Sequence, residues 1–93
     1  MNTANLQLEG LLAAVAALTN TLREKGVLSV EEIDSCLSKA EETTATDRPN
    51  ELSASNIEAI RFPFRYLRAA AKAGNPPPSF ASIAAQIGMT KDD

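Results

Sequence analysis

The chain has no histidine, no tryptophan, one cysteine, three phenylalanines and one tyrosine among its 93 residues. Each shortage narrows what the protein does. Without histidine, proton transfer near neutral pH loses its usual carrier and falls to Asp, Glu, Lys or Tyr66. One thiol and no imidazole fall short of the four ligands of a structural zinc site. A single cysteine forms no disulfide within the chain, which points to a reducing, cytoplasmic setting. Cys36 has no histidine to activate it, and its place three residues after Ile33 predicts a small core side chain. These absences predict a protein that is not an enzyme, with no catalytic residue, cofactor or metal ligand.

Long apolar runs are missing too. The run from Leu11 to Leu18 is far short of the roughly 20 residues that cross a bilayer. No Lys or Arg precedes it, and Glu9 stands where a secretory leader carries positive charge. No membrane association is expected. Alternating strand patterns and internal repeats are also absent, which leaves an all-α fold in a single domain of residues 1–93.

The most informative feature present is the segment from Leu6 to Leu22, which carries one formal charge, Glu9. Leu8, Leu11, Val15, Leu18 and Leu22 alternate by three and four, the spacing of one helical stripe. Leu12 and Thr19 widen that stripe on one side. Gly10, Ala14, Ala17 and Thr21 form a second stripe about 100° away. A short chain has little else with which to cover so much apolar circumference. The expectation is a homodimer, or a subunit bound to another protein. Leu8, Leu11, Val15, Leu18 and Leu22 form the contact, and Gly10, Ala14 and Ala17 set a close approach.

The segment 4–42 predicts an antiparallel helical hairpin. Gly26 is placed to end the first helix as its C′ residue. Ser29 and Glu32 have capping-box spacing, with Leu28 and Ile33 placed as a hydrophobic staple. The inner face of the second helix is then Ile33, Cys36, Leu37 and Ala40. Residues 43–54, rich in Thr, Asp, Pro, Asn and Ser, predict a loop. Ser55 and Glu58 repeat the capping spacing and open a third helix over 55–73, in which Pro63 imposes a kink or a break. Pro76, Pro77 and Pro78 predict a stiff spacer. Ser79 caps a terminal helix over 79–88 with Phe80, Ile83 and Ile87 on one face, closed by Gly88. Residues 89–93 form a tail.

Charge is unevenly distributed within a net of −3. Residues 61–73 hold Arg61, Arg65, Arg68 and Lys72 and no acid, at spacings of four, three and four. Interleaved with Phe62, Phe64 and Tyr66, they could track a phosphate backbone, so a nucleic-acid-binding regulator is the alternative function. The competing reading pairs these bases with the acids of the second helix or of a partner subunit. A sequence pI near 4.9 favours that pairing. Among the acids, Glu31, Glu32 and Asp34 are explained by the helix dipole, and Glu41 and Glu42 by a solvated surface. No calcium-loop spacing is present.

Two short stretches resemble known families. Ser82, Ile83, Ala84, Ala85, Gln86, Ile87, Gly88, Met89 and Thr90 are similar to the first helix and turn of helix-turn-helix DNA-binding units. In that family the second helix supplies the base contacts, and here Lys91, Asp92 and Asp93 stand in its place. The stretch from Leu18 to Glu41 resembles the helical hairpin near the start of nitrile hydratase α-subunits. That family's metal-binding cysteine cluster is absent, so the resemblance implies no activity.

Overall fold

Four helices and no strand occupy the described residues of the computed structural model, which are 3–47, 53–73 and 80–91. They are α1 (Thr3–Glu24), α2 (Val30–Thr46), α3 (Ala54–Ala73) and α4 (Phe80–Lys91). The all-α class is therefore the observed one. Arg48, the Pro76–Pro78 spacer, the Ser79 cap, Asp92 and Asp93 lie outside the described residues.

The link between α1 and α2 is built by local chemistry. Gly26 adopts φ +74°, a left-handed conformation that glycine enters without a Cβ penalty. The Val27 amide donates to the Leu22 carbonyl at 3.0 Å, and the Gly26 amide donates to the Arg23 carbonyl at 3.0 Å. Those two bonds make a Schellman motif and satisfy carbonyls that the helix end leaves open. At the other side of the link, the Glu32 amide donates to Ser29 Oγ at 3.1 Å, while Glu32 Oε1 accepts from the Ser29 amide at 2.9 Å. The expected capping box is present, with Leu28 half-buried and Ile33 buried.

The packing that follows is organised by α3, which lies against α1, α2 and α4. Helices α1 and α2 share the tight link of a helical hairpin, but each makes its main contacts with α3. The principal core joins Leu12 and Ala16 of α1, Tyr66, Leu67 and Ala70 of α3, and Ile83 and Ile87 of α4. Val15, Leu37, Phe62 and Ala69 line its margin.

Several boundaries differ from those read in the sequence. α2 continues through Thr43 to Thr46, because Ala45 finds a buried position and Thr46 Oγ1 donates to the Glu42 carbonyl at 2.7 Å. The cap of α3 is Ser53 rather than Ser55. Its Oγ accepts from the Asn56 amide at 3.2 Å, which starts the helix at Ala54. α3 runs unbroken through Pro63. α4 does not stop at Gly88 but continues to Lys91, so the turn expected of a helix-turn-helix unit is not formed there.

Two side chains lie opposite to their expected places. Cys36 is exposed, while Glu41 is buried. Both follow from one rotation: α2 buries Ile33, Glu41 and Ala45, with Leu37 and Ala40 half-buried, so the inward face is centred on the row through Leu37 and Glu41 rather than on the row through Cys36 and Ala40. A turn about the axis of close to one residue, about 100°, separates these choices. The charges of α3 decide between them.

Candidate functional site

The predicted basic stripe does occupy one face of α3, and it faces α2. Arg61 Nη1 donates to Glu41 Oε2 and to Glu42 Oε1, each at 3.0 Å. Arg68 grips Asp34 with Nε to Oδ1 at 2.8 Å and reaches Glu41 Oε1 at 3.5 Å. Arg65 bonds Glu58 Oε2 at 2.6 Å and lies 3.7 Å from Glu41 Oε2. Lys72 Nζ stands 3.4 Å from Asp34 Oδ1. The partners run in opposite order along the two helices, so α2 and α3 are antiparallel and zipped by charge.

Glu41 is the centre of this zipper. Its side chain is only 7% exposed and meets three guanidinium groups. A carboxylate with that many charge-assisted donors is well compensated for its lost water. Asp34 is held below the ordinary carboxylate range, first by its hydrogen bond from Arg68, against a smaller opposing effect of burial. The same bond holds Arg68 more firmly protonated, and those from Glu41 and Glu42 do so for Arg61. All four predicted anion-binding residues are thus engaged with carboxylates of their own chain.

α1 presents the opposite condition. Leu12 is 3% exposed and anchors it to α3, although the sequence placed Leu12 at the edge of the outer stripe. Arg23 Nη1 also donates to the Ala71 carbonyl. Of the residues proposed for self-association, Leu8, Leu11, Leu18 and Leu22 are exposed, with Leu11 at 60% and Leu18 at 66%. Gly10, Ala14 and Ala17 are exposed as well. Val15 is half-buried against the margin of the core. Sequence reasoning missed Leu6 and Val27, which extend the exposed apolar surface at either end. Val27 is placed there by the Schellman turn, a signal legible in Gly26.

No exposed residue from Thr3 to Leu22 carries a charge, and the two ionisable side chains nearest, Glu9 and Arg23, are half-buried. An uncharged exposed surface along roughly 30 Å of helix is unusual for an isolated molecule. On the buried side Asn20 is 5% exposed, and neither atom of its amide group has a hydrogen-bond partner.

A recess of about 290 Å³ between α3 and α4 is lined by Ser55, Glu58, Ala59, Phe62, Arg65 and Ile87. Its two charged groups, Glu58 and Arg65, bond each other. Among the described residues no group of three or more acids or thiols is placed to hold a metal ion, and no helix is long and apolar enough to cross a membrane. No protein-family model, curated protein or solved structure matches this chain.

Proposed function

We propose that this protein is a non-enzymatic interaction module that works as a homo-oligomer in the cytoplasm, with α1 as its working surface. One observation carries the reading: α1 covers one side against α3 and, from Thr3 to Leu22, leaves an open surface that bears no charge and is made largely of Leu and Ala. Burying such a surface is favourable at about 25 cal/mol per Å², and another protein is the cover available to it. The basic stripe supports no competing reading, since each of its cations already has a carboxylate partner. Phosphate would have to displace those partners before it gained anything.

Light scattering at low micromolar concentration tests the reading, with a mass of two or more 9.9 kDa subunits as the expected result. Leu18→Glu sharpens it, because Leu18 is exposed and its replacement leaves the subunit core intact. That variant should be monomeric with unchanged helical circular dichroism. Val15→Asp is a poorer probe, since Val15 touches the core margin. A wild-type monomer at tens of micromolar would overturn the proposal.

A further inference from the structure

We draw no further inference here: the strongest candidate, the surface patch of Leu8, Leu11, Leu18 and Leu22 along the open face of α1, is the surface already described, and nothing in the structure shows what covers it.

Discussion

The α2–α3 interface and α1 solve the problem of burial in opposite ways. Between α2 and α3 the interface is charged and satisfied within the chain: Asp34, Glu41 and Glu42 of α2 meet Arg61, Arg65, Arg68 and Lys72 of α3, and Glu58 of α3 holds Arg65 from its own helix. On α1 the charges are nearly gone, one row of side chains packs on α3, and the leucines beside that row remain in water. The charged interface is what a solitary subunit needs to fix its own helices. The open face of the uncharged helix is the surface that the proposed assembly would cover.

That contrast breaks most visibly at Glu41. Glu41→Gln leaves three arginines facing an amide, and a loss of about 2–4 kcal/mol is expected. This lies below the full cost of breaking a buried pair because the arginines are partly wet. Urea denaturation of the variant measures it, and an unchanged midpoint would show that the zipper contributes nothing. On the α1 side, Asn20→Leu removes an orphaned amide from an apolar contact and should stabilise the protein by about 1–2 kcal/mol. The same denaturation experiment reads this gain, and a loss would mean that the site inside the subunit holds the amide better than a leucine side chain.

Gly10→Ala is a smaller and sharper probe. An added Cβ at Gly10 meets nothing within 4 Å, so the substitution should raise helix stability by about 0.5–1 kcal/mol and leave the oligomeric mass unchanged. Dissociation of the variant would move the contact from the leucine seam to the small-residue stripe. The mildest effect is pH. Asp34 has a depressed folded-state pKa, so its contribution is complete above the ordinary carboxylate value, near pH 4, and fades as pH falls through the depressed one. Tyr66 is shifted the other way, upward, chiefly by burial and also by Glu9. Its contribution is complete below about pH 10 and fades as pH rises through the raised value. Thermal melting against pH should therefore fall at both extremes, with a shallower acid limb in Asp34→Asn.

Much of this was legible in the residues. The Ser29–Glu32 box, the Gly26 stop, the stripe from Arg61 to Lys72 and the apolar excess of α1 depend on spacing within one helix or turn, and spacing is printed in the sequence. Cys36 and Glu41 were misplaced for the opposite reason. α2 has apolar residues on two adjacent rows, and either could face inward until the arginines of α3 are brought alongside. Leu12 presents the same ambiguity on α1, where it borders the leucine stripe by angle alone. Gly88 was read as a stop, yet the helix runs through it, a reminder that a glycine near the end of a pattern weakens a helix without ending it.

The sequence by itself determined that the protein is helical, where its tight link falls, and that its first helix is nearly free of charge. Those properties come from propensity, capping and periodicity, which act over a few residues. Only the tertiary structure decided that α3 is the hub, that Glu41 lies inside, and that Leu11 and Leu18 rather than Leu12 face outward. Such choices compare alternative dockings of the same helix with similar apolar area, and contacts between residues far apart in the chain select among them.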